Sequence, residues 1–267
     1  MQSVFFDYQS NAVHSLKFGD GDQLLIVFPG YGDYATTFLK LQSSLEKKYT
    51  VYVIDLPLHG ETKWSQEQFS LDFFSTVIQL ILEKENKERF ALMGHSFGGR
   101  IVLKLVPQFN KELTYIYLLA SDGLKTSEFS PIKNMPVFLR KLVKKTMKSP
   151  DKVLSLAKGL NRIKLLPNHS LAFFQLQLRN PRRIERLFLF WLSIPSFQIN
   201  IAQVKRMIKE KQIPIAMFMG LQDEIIPAKL GKRFSENLPS VTLYLLDDGH
   251  LLIGEELNKI IQSIKTK

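Results

Sequence analysis

The chain has 267 residues, 45% hydrophobic and 23% charged, so it can form one sizeable domain with a large apolar core, with or without an insertion. It contains no cysteine, which excludes disulfides, thiolate metal sites and a cysteine nucleophile. The net charge of +11 is unevenly spread, because residues 123–211 hold 19 Lys or Arg and 4 Asp or Glu, giving +15 against −4 for the remainder, so we expect two structural units with different surfaces.

The first half of the chain alternates short apolar runs with segments of helical spacing. Strands are predicted at residues 4–7, 12–18, 24–28 and 51–54, then from Phe90 and at 115–119. Between them, apolar residues recur at helical spacing over residues 36–49, 71–82 and 100–106. Such alternation predicts a mainly parallel sheet covered by helices on both faces.

The alternation stops between residues 122 and 211. That segment has no convincing strand, contains helical stretches at 137–147 and 184–192, and is far too long for a structureless loop. We therefore expect a helical cap over residues 123–211, inserted between the sixth and seventh strands. Residues 1–122 and 212–267 would form the core, completed by strands at 214–219 and 241–246 and by helices at 228–237 and from about 255.

A nucleophile motif lies between a predicted strand and a predicted helix. Residues 94–98, Gly-His-Ser-Phe-Gly, fit G-x-S-x-G. In that context the motif is typical of a nucleophile elbow, a sharp turn that exposes the central hydroxyl above a sheet. A serine hydroxyl needs a positioned base to take its proton. The motif therefore predicts Ser96 as a nucleophile and requires a histidine and an acid from elsewhere in the chain.

Asp223 and His250 are the candidates for acid and base. Each follows a predicted strand, and the edge of an open α/β sheet beyond the strands' carboxyl ends is where ligands bind. His250 would take the proton from Ser96, and Asp223 would orient the imidazole. Asp122, at the end of the sixth strand, is a rival for the acid. The remaining histidines fit a catalytic role less well, and they are His14, His59, His95 and His169, with His95 expected to be a framework residue.

In these residues the chain resembles the α/β-hydrolase fold superfamily, in its cap-bearing branch. The matching segments are Gly-His-Ser-Phe-Gly-Gly at 94–99, Phe-Pro-Gly-Tyr-Gly at 28–32, Asp-Leu-Pro-Leu-His-Gly-Glu-Thr at 55–62, the acid loop at 220–227 and Gly-His at 249–250. Pro29 replaces a usual histidine and Leu58 a usual glycine. The resemblance implies an eight-stranded, mainly parallel sheet and the order nucleophile, acid, histidine. It also implies backbone oxyanion donors at Tyr31 and Phe97.

The expected function is a cofactor-independent serine hydrolase that cleaves a carboxylic ester or related acyl compound through an acyl-enzyme. One alternative is a lyase of the menaquinone-pathway type, whose elbow the segment Ser-Phe-Gly-Gly-Arg at 96–100 resembles. Another is a carbon–carbon bond hydrolase, and either would act on an anionic substrate. A non-catalytic binding protein is a third class. Several cap aromatics would either line an acyl pocket or pack the cap on the core, and these are Phe173, Phe174, Phe188, Phe190 and Trp191.

The expected partner is a small-molecule acyl substrate. The basic cap would either attract an anionic substrate or form a solvated face. No residue cluster has metal-ligand spacing, and no nucleic-acid motif accompanies the basic charge. The N-terminus lacks a signal-peptide pattern, and the near-apolar stretch at 187–197 is too short to span a bilayer. We therefore expect a cytoplasmic protein without a transmembrane segment, with peripheral membrane contact left open.

Overall fold

The computed structural model describes residues 1–125, 149–164, 171 and 175–264. The strands are β1 (Gln2–Tyr8), β2 (Asn11–Phe18), β3 (Gln23–Phe28), β4 (Tyr49–Ile54), β5 (Phe90–His95), β6 (Leu113–Leu119), β7 (Ile215–Gly220) and β8 (Val241–Leu246). They form one eight-stranded sheet in the order β1-β2-β4-β3-β5-β6-β7-β8. Strand β2 runs antiparallel to both β1 and β4, and all other neighbours are parallel. The predicted eight-stranded, mainly parallel sheet is confirmed.

Helices connect most of the parallel strands. The α-helices whose bounds lie within the described residues are α1 (Gln42–Leu45), α2 (Leu71–Glu85), α3 (Phe97–Phe109), α4 (Pro150–Arg162), α5 (Pro181–Ser193), α6 (Ile201–Lys211), α7 (Ala228–Ser235) and α8 (Glu255–Ser263). Two further segments, Ala35–Leu41 and Ile194–Phe197, are 3₁₀-helices.

Both faces of the sheet are covered because successive strand residues point to opposite sides. Val27 of β3 lies in one buried cluster with Phe38 and with Ile261 of α8. Phe28 points to the other face, where its ring packs edge-on against Phe74 of α2 at 5.3 Å between centroids. A strand segment buried on both sides needs apolar residues at every position, which explains the uninterrupted apolar run at residues 24–28 of β3.

One prediction of secondary structure is wrong in type and extent. The segment predicted as a helix over residues 36–49 is a 3₁₀-helix followed by the single turn of α1, and Tyr49 already begins β4. Tyr49 is fully buried, and its hydroxyl lies 3.1 Å from that of Tyr117 in β6. Burial and strand pairing therefore override the helical spacing of the apolar residues.

The chain divides into two compact units. Unit 1 comprises Met1–Ser65, Ser70–Glu128 and Phe197–Lys267, and unit 2 comprises Gln66–Phe69 and Phe129–Ser196. Unit 1 contains the whole sheet. It also contains α6, which the domain prediction placed in the cap and which contacts α3.

Unit 2 is helical in its described part, with α4 and α5 as its longer elements. Ser193 of α5 accepts a hydrogen bond from the N–H of Phe69 at 3.0 Å and donates one to the carbonyl of Leu189 at 2.8 Å. The predicted helix at 184–192 lies within α5, whereas the one at 137–147 lies outside the described residues. Within the described ranges no single helix is both long and apolar enough to cross a membrane, and the Pro181–Phe197 and Ile201–Lys211 segments pass that test only as a pair.

Candidate active site

Ser96 occupies the sharp turn between β5 and α3. Its backbone angles are φ 50° and ψ −117°, a sparsely populated conformation that costs about 1–3 kcal/mol and persists only where neighbouring contacts impose it. Its N–H donates to the carbonyl of Leu119 at 2.9 Å, and its own carbonyl accepts from the N–H of Asp122 at 2.9 Å. A Cβ on Gly98 would collide with the carbonyl of Phe28, so the first turn of α3 can approach β3 this closely only with glycine there.

His250 lies within hydrogen-bonding distance of the Ser96 hydroxyl. Its Nε2 is 2.9 Å from Oγ of Ser96, and its Nδ1 is 2.7 Å from Oδ2 of Asp223. A carboxylate only accepts, so Nδ1 carries the proton and Nε2 is left as the acceptor for the serine hydroxyl. The imidazole is therefore held in the tautomer that can remove a proton from Ser96.

Asp223 is buried with its carboxylate fully hydrogen-bonded. Its side chain is 0% exposed, against 22% for His250. While Oδ2 accepts from His250, Oδ1 accepts the backbone N–H groups of Ile225 and Ile226, both at 2.8 Å. Such bonds to a charged oxygen are stronger than neutral ones and fix the orientation of the carboxylate.

The acid and histidine loops are joined directly to each other. The N–H of Leu221 donates to the carbonyl of Leu246 at 2.8 Å, and the N–H of Gln222 donates to that of Asp248 at 3.0 Å. A Cβ on Gly220 would collide with the backbone of Gly249. The short loops that follow β7 and β8 therefore set the separation of Asp223 and His250.

Asp122, the rival acid, is hydrogen-bonded elsewhere. Its Oδ2 lies 2.9 Å from both Nε and Nη2 of Arg100 in α3, and its Oδ1 accepts the N–H of Gly123 at 2.7 Å. Of the two candidate acids, Asp223 is the one bonded to the His250 ring.

The backbone N–H of Phe97 lies at the N-terminus of α3, directly after Ser96. The first N–H groups of a helix carry partial positive charge and point out of the helix. The Phe97 ring packs edge-on against Phe197 at 5.4 Å between centroids, which fixes the residue in place. This is the position where the sequence predicts one oxyanion donor.

Tyr31, the second predicted donor, lies in a turn that follows β3 and runs against the nucleophile. A Cβ built on Gly30 would lie 3.1 Å from Cβ of Ser96. The N–H of Gly32 donates to Nε2 of His59 at 2.9 Å, and the Tyr31 and His59 rings pack edge-on at 5.7 Å. The turn is therefore held beside Ser96 from both of its ends.

His95 and Asp33 are site residues whose pairing the sequence did not predict. Nδ1 of His95 lies 2.7 Å from Oδ2 of Asp33, and Nε2 lies 2.9 Å from the backbone carbonyl oxygen of His250. The same Asp33 oxygen accepts the N–H of Gly30 at 3.1 Å. The signal available in the sequence was a carboxylate three residues beyond Gly30, at the end of the turn that carries Tyr31.

The pKa of Asp33 is held below its ordinary value of 3.8. Burial acts in the opposite direction and is the largest single effect. The hydrogen bond and charge of His95, the Gly30 amide and the charge of His250 together outweigh it. Asp33 is therefore ionised near neutral pH.

The described residues contain no group of three or more His, Asp or Glu side chains placed to hold a metal ion. Of the other histidines, His14 of β2 is paired with Asp55, which follows β4, at 2.7 Å, and His169 lies outside the described residues. Phe173 and Phe174 also lie outside them. Phe188, Phe190 and Trp191 are partly buried residues of α5 in unit 2, and the acyl pocket stays a prediction.

Comparison with known proteins identifies the class. A profile of the alpha/beta hydrolase fold matches residues 23–257, which is most of the chain. The chain therefore belongs to the alpha/beta hydrolase fold family, and the resemblance stated from its motifs is confirmed.

Three individual proteins show the range of its relatives. It is 25% identical over 263 residues to the uncharacterized hydrolase YugF of Bacillus subtilis, covering 97% of this chain and 91% of that protein. It is 26% identical over 243 residues to the pimeloyl-[acyl-carrier protein] methyl ester esterase of Legionella pneumophila, covering 88% and 90% of the two chains. The crystal structure of a putative lipase from Acinetobacter baumannii superposes with a TM-score of 0.67 at 21% identity, covering 98% and 89%. The last comparison shows a shared fold.

Proposed function

We propose that this protein is a serine hydrolase that cleaves a carboxylic ester or a related acyl compound through an acyl-enzyme. The observation that carries the proposal is the continuous chain of hydrogen bonds from Ser96 through His250 to Asp223, at 2.9 and 2.7 Å. Each residue is supplied by a different loop at the carboxyl edge of the sheet. A purely structural role for this arrangement would not require a strained backbone at Ser96.

In the first half-reaction, Oγ of Ser96 attacks the acyl carbonyl carbon while Nε2 of His250 takes the hydroxyl proton. The tetrahedral intermediate collapses when the bond to the leaving alcohol breaks and His250 returns the proton to that alcohol. In the second half-reaction, water replaces the alcohol, and the acid product and free Ser96 are formed. Asp223 keeps Nδ1 protonated and stabilises the imidazolium that exists between the two transfers.

The oxyanion of each intermediate needs preorganised donors. We assign this role to the N–H of Phe97, at the start of α3, and to the N–H of Tyr31, in the turn that runs against Ser96. The removal of one such donor from a hydrolase costs about 10²–10³ in kcat.

The relatives support esters as the substrate class. The name of the Legionella relative describes hydrolysis of a methyl ester, and the Acinetobacter structure is described as a putative lipase. We further propose that the segment predicted as a cap, residues 123–211 without α6, selects the acyl group. A cytoplasmic location stays a prediction.

The lyase alternative depended on the arginine of the elbow and on a basic cap that would suit an anionic substrate, whereas carbon–carbon bond hydrolysis did not depend on Arg100. Arg100 is instead 8% exposed, and its guanidinium is bound to Asp122 through two nitrogens and lies 3.5 Å from the carbonyl of Phe197. This arrangement favours a structural role for Arg100, so ester hydrolysis is the better supported reaction.

The deciding experiment is a screen of p-nitrophenyl esters of graded chain length, with anionic esters included, on wild type, Ser96→Ala and Ser15→Ala. Ser15 is a matched control because its hydroxyl is buried and bonds only the carbonyl of Val53 in the described contacts. We expect hydrolysis by wild type and by Ser15→Ala, and a stoichiometric mass increase with a serine-directed phosphonate that Ser96→Ala abolishes. A folded Ser96→Ala protein with near-normal turnover would overturn the assignment.

A further inference from the structure

His95 lies between two groups that can only accept hydrogen bonds. One is the backbone carbonyl of His250, at 2.9 Å from Nε2, and the other is the carboxylate of Asp33, at 2.7 Å from Nδ1. A carbonyl never donates, so Nε2 must carry a proton. Nδ1 carries one as well unless the carboxyl of Asp33 is protonated.

Asp33 itself favours the ionised form. Its Oδ2 also accepts the N–H of Gly30 at 3.1 Å, a bond that a carboxylate makes better than a carboxylic acid. The side chain of His95 is 3% exposed and that of Asp33 is 19% exposed, so water does not replace either partner. Both ring nitrogens of His95 are then donors, and the pair is an imidazolium and a carboxylate.

His59, twenty-seven residues beyond Gly32, shows the opposite arrangement in the same site. Its Nδ1 lies 2.9 Å from the carbonyl of Pro57, which accepts, and its Nε2 lies 2.9 Å from the N–H of Gly32, which donates. A ring with one acceptor and one donor partner is neutral. The two histidines that brace the turn at residues 30–33 therefore differ in charge.

The His95 ring connects the parts of the proposed site. It belongs to the residue next to Ser96, it bonds the side chain that closes the turn carrying Tyr31, and it bonds the main chain of His250. Asp33 and Gly30 also exchange a second bond, from the N–H of Asp33 to the carbonyl of Gly30 at 3.2 Å.

We propose that the buried pair of His95, with both ring nitrogens donating, and the Asp33 carboxylate is a positioning unit, which holds the oxyanion turn and the catalytic histidine loop at their working separation. This role rests on the proposed hydrolase function of Ser96. The titratable groups facing His95 are Asp33, from the loop after β3, and His250, from the loop after β8, whose ring centroid lies 5.2 Å away and which is bonded in turn to Asp223. The pair positions the oxyanion turn and the His250 loop for stabilising the transition state, and it contributes nothing to substrate binding.

The first test is independent of hydrolysis. Proton–nitrogen NMR of the histidine rings at pH 7, assigned with His95→Gln and His59→Gln, should show two protonated ring nitrogens for His95 and one for His59. Asp33→Asn removes the charge and can turn its amide N–H towards Nδ1 of His95, so His95 should become singly protonated in that variant. A singly protonated His95 in the wild type would overturn the ion pair.

The second test separates positioning from stability. His95→Gln should lower kcat for the best ester by about 10–100-fold with KM within about 2-fold, because a small misplacement of reacting groups costs rates of that size. His14→Gln is the matched control, since it removes another buried His–Asp pair of 2.7 Å, with Asp55, outside the proposed site. It should lower Tm without lowering kcat.

Equal loss of kcat in the two variants, or unchanged kcat in His95→Gln, would overturn the positioning role while Ser96-dependent hydrolysis still stands. If the wild type hydrolyses no ester, the proposed function fails, and the ring-nitrogen spectrum alone decides on the ion pair.

Discussion

Asp122 forms an ion pair with Arg100, which lies in the first turn of α3. Oδ2 of Asp122 is 2.9 Å from both Nε and Nη2 of Arg100. This pairing distinguishes the two candidate acids, Asp122 and Asp223, between which the sequence alone left a choice. Both follow core strands at the same edge of the sheet, but the Asp122 oxygens are bound to Arg100 and Gly123, whereas those of Asp223 are bound to His250 and two amides. We therefore expect different effects from substituting Asp122 and Asp223.

Asp223→Asn should lower kcat by about 10³–10⁴ because the amide cannot hold the imidazole of His250 in the required tautomer. Asp122→Asn should cost much less activity and should act through stability, because it leaves the positive charge of Arg100 only partly compensated. Steady-state kinetics and thermal unfolding of both variants check this. A larger loss of kcat in Asp122→Asn would place the acid after β6.

Gly30→Ala should impair catalysis through crowding at the turn. A Cβ there would lie 2.8 Å from Oδ2 of Asp33, 3.0 Å from Nδ1 of His95 and 3.1 Å from Cβ of Ser96. The turn must move to accept it, so we expect kcat to fall by about 10–100-fold. Gly159→Ala, in α4, is the matched control because a Cβ there meets nothing within 4 Å. It should raise the free energy of unfolding by about 0.5–1 kcal/mol and leave kcat unchanged.

The pH dependence of stability should reveal the ionised Asp33. Its pKa is lower in the folded chain than in the unfolded chain, so ionisation stabilises the fold above about pH 4, and this contribution is lost as pH falls through the folded-state pKa. The free energy of unfolding of wild type should therefore exceed that of Asp33→Asn at pH 5.5, and the difference should shrink towards pH 3.

Urea titrations between pH 3 and 5.5 measure this difference, in a range where histidine in the unfolded chain, with a pKa of about 6.5, stays protonated. Asp7→Asn, at an exposed position of β1, is the control and should change stability little throughout. A difference between wild type and Asp33→Asn that is constant, or that grows on acidification, would contradict the lowered pKa.

The sequence predicted most of the sheet and the three side chains that converge at its edge. Ser96 was found because G-x-S-x-G lies between an apolar run and a helical pattern, and Asp223 and His250 because each follows a strand in the expected order. The pairing of His95 with Asp33 was missed because the two are 62 residues apart and no local pattern records which face of a turn a carboxylate occupies. The 3₁₀-helix at Ala35–Leu41 was missed because its apolar spacing also fits an α-helix.

The charge of residues 123–211 leads to a prediction about substrate class. Their net charge of +15 against −4 for the remainder would raise the encounter rate of an anionic ester by about 10-fold or more, and salt would screen the effect. We therefore expect kcat/KM for an anionic ester to fall between low and moderate ionic strength, and that of a neutral ester of similar size to change far less. The measurement is a salt series on a matched pair of esters.

Two triple variants with the same change in net charge test whether the location of the charge matters. The first replaces three arginines at the start of α5 and just before it with glutamine, and these are Arg179, Arg182 and Arg183. The second replaces three exposed lysines of unit 1 with glutamine, and these are Lys84, Lys87 and Lys111. If the basic segment captures substrate, the arginine variant should lose most of the salt dependence with the anionic ester, and the lysine variant should retain it. An equal response of both variants, or equal salt dependence of the two esters in the wild type, would show instead that the charge forms a solvated face without a role in substrate selection.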